Sequence, residues 1–133
     1  MVTRVLLVED DPDDRELFVS FLENRGDISL MPAVTNGIEL IDRLMKTATD
    51  DLPDLIVLDQ NMPLMNGKQA LQFLSSHEQF FTIPVVIYST YADTTLIIDC
   101  KKLGAKMVAS KPIDDEGYQK MMDDFLKVTK AHV

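Results

Sequence analysis

The stretch VLLVEDDPDD (5–14) runs four apolar residues straight into Glu9, Asp10 and Asp11, then into Pro12, Asp13 and Asp14. Its apolar part does not alternate with polar residues, as a strand with one wet face would. A short continuous run of this kind reads as a strand buried on both faces. Carboxylates that continue such a strand are costly unless something positive offsets them. The residues after them read differently, because proline suits the first turn of a helix and acids suit its positive N-terminal end. Glu9 and Asp10 are therefore assigned to a strand end. Asp13 and Asp14 go to a helix start that needs no chemistry, and Asp11 goes to the loop between them.

Three further runs repeat the pattern: LIVL (55–58), PVVIY (84–88) and MVA (107–109). A fifth, ISLMPAV (28–34), is weaker; Pro32 interrupts it, which suits a sheet edge. Helical spacing fills the gaps. Leu17, Phe18, Phe21 and Leu22 lie in a segment that stops at Gly26, a candidate C-terminal cap. Residues 37–46 carry Ile38, Ile41 and Met45 on one face with Leu40 and Leu44 beside them, and residues 67–77 carry Ala70, Leu71 and Leu74. Segments 92–104, ending at Gly104, and 115–130 complete the set. The order is strand then helix, five times over. Parallel strands need crossovers of this length, and right-handed crossovers put helices on both faces. The expected fold is a doubly wound α/β domain with a five-stranded parallel sheet, one unit spanning residues 1–133.

Composition agrees with a single folded domain: hydrophobic residues make up 46% of the 133 and charged residues 26%. A net charge of -9 argues against nucleic acid, whose binders present basic surfaces. One cysteine, Cys100, forms no internal disulfide, and with two histidines it makes a poor zinc set. No apolar run approaches membrane-spanning length, and the first is too short for a signal-peptide core. The expectation is a reduced, cytoplasmic protein with no membrane and no nucleic-acid partner.

The chemistry lies in the residues at the end of each strong run. The first run ends in Glu9 and Asp10, the second in Asp59, the third in Ser89 and Thr90, the fourth in Ser110 and Lys111. Each residue alone is an ordinary turn residue. In a parallel sheet, however, all carboxyl ends share one edge, where open α/β folds place their ligand sites. Carboxylates gathered there repel unless a cation sits among them, and an all-oxygen donor set suits a hard cation such as Mg²⁺. With Lys111 as a point charge and Ser89 or Thr90 as a donor, the edge becomes a cradle for a phosphoryl group, and Asp59 a candidate nucleophile.

These segments resemble the receiver domain of bacterial two-component response regulators over almost the whole chain. LLVEDD matches the family's acidic pair, with Glu9 and Asp10. DLIVLDQNMPLMNG (54–67) matches its phospho-acceptor segment, with Asp59 as acceptor and Met62, Pro63 and Gly67 in place. PVVIYSTYAD (84–93) puts Ser89 at the switch hydroxyl, and GAKMVASKPID (104–114) puts Lys111 before Pro112. The resemblance implies a flavodoxin-like strand order 2-1-3-4-5. It also implies direct Mg²⁺ ligation by Asp10 and Asp59, a water-mediated role for Glu9, and a ligand from the backbone carbonyl of Asn61. Asp59 would take a phosphoryl group from the phosphohistidine of a sensor histidine kinase or a histidine phosphotransfer protein. Lys111 and Ser89 would bind its oxygens and shift the β4–α4 and α4–β5–α5 surface toward an unknown downstream protein or a phosphorylation-dependent homodimer. The family carries a cis peptide before the proline that comes after its lysine, so one is expected at Pro112.

Such a domain would catalyse its own phosphorylation and dephosphorylation without a separate turnover substrate. Asn61 and Tyr91 are expected to set the dephosphorylation rate from positions flanking the line of water attack. One departure is Val108, where the family often has an aromatic ring three residues before its lysine. The alternative reading is a phosphorelay intermediate, or an excised receiver of a larger regulator or hybrid kinase. A Mg²⁺-dependent phosphatase usually carries a second acid two residues after its nucleophile; that position here is Asn61. His77, His132, Cys100, Met62 and Met65 are given no chemistry, and Phe80 and Phe81 are read as loop anchors or an exposed patch.

Overall fold

A computed structural model describes residues 2–130; His132 lies outside them. Five parallel strands form one sheet: β1 (Thr3–Val8), β2 (Ile28–Leu30), β3 (Leu55–Asp59), β4 (Val85–Ser89) and β5 (Met107–Ser110). Their order is β2-β1-β3-β4-β5, all pairings parallel. The helices are α1 (Pro12–Leu22), α2 (Gly37–Met45), α3 (Gly67–Ser75), α4 (Thr94–Lys102) and α5 (Asp115–Lys130). Every apolar run singled out in the sequence is a strand, and the predicted order stands. β2 is the edge strand: it stops before Pro32, and the chain rejoins the sheet only at one bridge, Val34 to Val8.

Because successive strand residues face opposite ways, the central strands feed two cores. Leu6, Val8, Ile56, Leu58 and Ile87 pack with Leu40, Leu44, Leu71, Leu74 and Cys100 of α2, α3 and α4. Val5, Leu7, Val57, Val86 and Tyr88 pack with Phe18 and Leu22 of α1 and with Tyr118, Met122 and Phe125 of α5. Met62 and Met65 pack against the first core, as expected of loop methionines. Phe80 is buried there too, whereas Phe81 is 61% exposed.

Three local expectations are corrected. α1 ends at Leu22 with Glu23 as its cap, not at Gly26. Arg25 fixes that turn, its N–H donating to the Leu22 carbonyl and its guanidinium to Asp27, Asp123 and the Gln119 carbonyl. α2 buries Leu40 and Leu44, while Ile38 and Met45 are 51% and 56% exposed; the leucine stripe, not the Ile38–Met45 stripe, meets the sheet. The third correction concerns Pro112. There is no cis peptide among the described residues, so Lys111–Pro112 is trans. Trans is the lower-energy isomer even before proline, by about 0.5–1 kcal/mol. With it, the Lys111 N–H still donates to the Ser89 carbonyl at 2.8 Å. Gly104, by contrast, comes after α4 with φ 107°, the left-handed cap its position predicts.

Candidate functional site

The carboxyl ends of β1, β3, β4 and β5 bring Glu9, Asp59, Ser89 and Lys111 to one edge. Glu9, Asp59 and Ser89 are the buried polar side chains of the described residues, at 0%, 1% and 2% exposure. One carboxylate oxygen each from Glu9, Asp10 and Asp59 lies within 4.8 Å of the others. Lys111 reaches across them: its Nζ is 2.9 Å from Glu9 Oε1 and 3.3 Å from Asp59 Oδ1. Backbone packing supports the position of Asp59. A Cβ on Gly67, at the start of α3, would stand 2.6 Å from the Asp59 carbonyl oxygen, so the close approach of that helix requires glycine. Asn66 caps α3 in a reciprocal capping box with Gln69.

The electrostatics result from burying several acids around one ammonium. Burial pushes Asp59 up, and its hydrogen bond with Glu9 and the Glu9 charge add to this. Lys111 and the Asn61 N–H, 3.2 Å from Asp59 Oδ1, only partly oppose them, and Asp59 stands at about 8. Burial also pushes Glu9 up, but hydrogen bonds from Asp59, Tyr88 and Lys111 outweigh it, leaving Glu9 below its ordinary value. Burial alone would lower Lys111; Asp14, Glu9 and Asp59 raise it instead, so it stays charged. A proton on Asp59 thus does what a cation would do, relieving the repulsion of adjacent carboxylates. The donor set is oxygen only, which fits a hard divalent cation and none of the thiolate or imidazole metals.

Two participants were not legible in the sequence. Asp14, read there as an ordinary first-turn acid, places Oδ2 2.8 Å from Lys111 Nζ. Tyr88, read as strand core, donates its hydroxyl to Glu9 Oε1 at 2.6 Å, and its ring centroid lies 5.0 Å from Lys111 Nζ. One signal for Tyr88 was a phenol in a run otherwise purely aliphatic, since a buried hydroxyl needs a partner. Asp11 has a defined task as well: it is the N-cap of α1, accepting from the N–H groups of Asp13 and Asp14. Arg15 donates to the carbonyl of Glu9 at 2.8 Å, tying the loop to the helix beyond it. Of the other residues named from sequence, Thr90 and Asn61 are exposed, Tyr91 is 76% exposed, and Pro112 is half-buried against Gly117. Ser89 Oγ donates to the Tyr91 carbonyl at 3.3 Å.

Residues 5–123 match the response regulator receiver domain. The chain belongs to that family. Receiver domains bind Mg²⁺ at an acidic pocket and interact with histidine kinases or phosphotransfer proteins; in this chain Glu9, Asp10 and Asp59 form an acidic cluster at the strand ends. It is 38% identical over 112 residues to a protein-glutamate methylesterase/protein-glutamine glutaminase of Cereibacter sphaeroides, covering 83% of this chain but 28% of that protein. Against protein PilH of Pseudomonas aeruginosa it is 29% identical, covering 94% of this chain and 98% of PilH. The phosphorylated cyanobacterial phytochrome response regulator RcpA superposes with TM-score 0.76 at 25% identity, covering 98% of this chain and 91% of that one. The receiver therefore spans under a third of the methylesterase's length and nearly all of PilH. No helix among its described residues is long and apolar enough to cross a membrane.

Proposed function

We propose that this receiver accepts a phosphoryl group on Asp59 from the phosphohistidine of a sensor kinase or phosphotransfer protein. The observation that carries the reading is a buried carboxylate at a strand end, facing a second carboxylate and a lysine. In the transfer, an Asp59 oxygen attacks phosphorus, the P–N bond to the donor imidazole breaks, and the imidazole leaves with its nitrogen lone pair. Mg²⁺, which Asp10, Asp59 and the Asn61 carbonyl would hold directly and Glu9 through water, would offset charge on the phosphoryl oxygens. Lys111 keeps a full positive charge within 3.3 Å of Asp59, ready to pair with one phosphoryl oxygen. Ser89 is next to Asp59's neighbouring strand position and exchanges its bond to the Tyr91 carbonyl for one to another oxygen.

That exchange pulls on the loop between β4 and α4. Val108, packed against the core formed with α2, α3 and α4, supplies no rotating ring. The change therefore passes through residues 90–93 to α4 and the α4–β5–α5 surface. The proposal takes 1–133 as one receiver unit, either acting like the PilH relative or serving as the receiver of a longer regulator, as its match to part of the methylesterase allows.

The test is intact mass after incubation with Mg²⁺ and acetyl phosphate. The wild type should gain one labile phosphoryl group that depends on Mg²⁺, and Asp59→Asn should not. No gain in the wild type, or an undiminished gain in the variant, contradicts the proposal.

A further inference from the structure

We propose that Tyr88 is a positioning residue for the metal pocket, acting through Glu9; the inference rests on the receiver function proposed for Asp59. Tyr88 belongs to β4, paired in register with Asp59 of β3, and it points away from Ser89 into the core shared by α1 and α5. Its ring is fully buried, set edge-on to Phe18 with centroids 6.0 Å apart, which fixes its direction. A phenol in that place is costly unless its hydroxyl is satisfied. The partner is Glu9 Oε1 at 2.6 Å, and Glu9 has no exposure to water. A short bond from a neutral donor to an ionised acceptor in a dry site is the strong kind.

The bond divides the Glu9 carboxylate between two tasks. Oε1 is held toward the core by the Tyr88 hydroxyl and by Lys111 Nζ at 2.9 Å. Oε2 takes the Asp11 N–H at 3.2 Å, and the carboxylate also shares a hydrogen bond with Asp59. Without the hydroxyl, Oε1 would lose the donor that holds it toward the core while keeping its contact with Lys111. The ammonium would be drawn onto Glu9, away from Asp59, and the carboxylate would be free to turn. The phenol thus keeps Glu9 oriented toward the cluster and keeps Lys111 shared. Groups that orient a metal site from behind typically contribute 10–100-fold in metal affinity. Tyr88→Phe keeps the ring, its packing on Phe18 and its face toward Lys111, and removes only the hydroxyl.

The experiment is a Mg²⁺ titration followed by amide NMR, together with acetyl phosphate kinetics at varied Mg²⁺. Tyr88→Phe should raise the Mg²⁺ dissociation constant about tenfold. It should shift the Mg²⁺ midpoint for phosphorylation equally while leaving the rate at saturating Mg²⁺ nearly unchanged. A purely structural role would lower stability without moving that midpoint. In a Glu9→Gln background, Tyr88→Phe should add little, because the effect runs through Glu9. Should Tyr88→Phe not fold, ring-labelled tyrosine in the wild type gives the answer: the Tyr88 ring signals should shift along the Mg²⁺ titration, and stationary signals overturn the inference. Equal midpoints for wild type and a folded Tyr88→Phe overturn it too, and leave the receiver reading intact. A wild type that binds no Mg²⁺ overturns both.

Discussion

The helices α4 and α5 pack on opposite faces of the sheet beside β5, yet they are held very differently. α5 buries Tyr118, Met121, Met122, Phe125 and Leu126, and Arg25 ties it to α1 through Gln119 and Asp123. α4 buries Cys100 alone, leaves Ile98 46% exposed, and is joined to α3 by one partly exposed ion pair, Lys68–Asp99. Pairs of that kind contribute little. The firmly packed face carries the groups that fix the site: Tyr88 in its core, and Asp14 at the start of α1. The loosely packed one comes directly after Ser89 and Tyr91. The acidic cluster thus sits against the more firmly packed part of the molecule, and the less firmly packed helix lies one loop away.

The contrast is open to direct attack, and the largest expected effect is in the α5 core. Phe125→Ala should cost about 3–5 kcal/mol, whereas Ile98→Ala in α4 should stay within about 0.5 kcal/mol. Urea unfolding of the two variants measures the difference, and comparable costs would erase the asymmetry. Next is Lys111→Met. It leaves the Glu9 and Asp14 carboxylates without their shared cation and should cost about 3 kcal/mol at neutral pH. The loss should shrink in acid as the carboxylates take up protons; a cost independent of pH would show that Lys111 stabilises by packing instead.

A smaller effect separates proton from metal. Asp59 stands at about 8 in the folded chain against an ordinary 3.8. Between those values the unfolded chain has released a proton that the folded chain keeps. Stability without metal must therefore fall as pH rises through that window. Asp59→Asn should flatten this slope and stabilise the protein at pH 8 by on the order of 2 kcal/mol. Mg²⁺ should stabilise the wild type more as pH rises, because the cation replaces the proton; thermal unfolding at several pH values reads both. The smallest effect is kinetic. Asn61→Ala with Tyr91→Ala should change the aspartyl-phosphate lifetime several-fold without altering stability, and equal lifetimes would remove both residues from control of hydrolysis.

Much of this was legible because strands and site share one signal. The runs at 5–8, 55–58, 84–88 and 107–109 are each followed within two residues by a member of the candidate site, so finding the strand also finds the candidate. The contacts that escaped are remote in sequence. Asp14 looks like any first-turn acid until the fold brings Lys111 to it. Tyr88 looks like core until its hydroxyl meets Glu9. The α2 face was misjudged because apolar residues occur on two stripes of that helix and only packing chooses between them. Pro112 was expected cis by resemblance, but X–Pro isomers differ too little in energy for the residues to decide.

The central claim is that the acyl oxygen of Asp59 carries the phosphoryl group. After phosphorylation with acetyl phosphate and Mg²⁺, borohydride reduction converts an aspartyl phosphate to homoserine, which peptide mass spectrometry locates. Homoserine at position 59, absent when Mg²⁺ is omitted, is the predicted result. A reduced residue elsewhere, or none despite Mg²⁺ binding, would contradict the account.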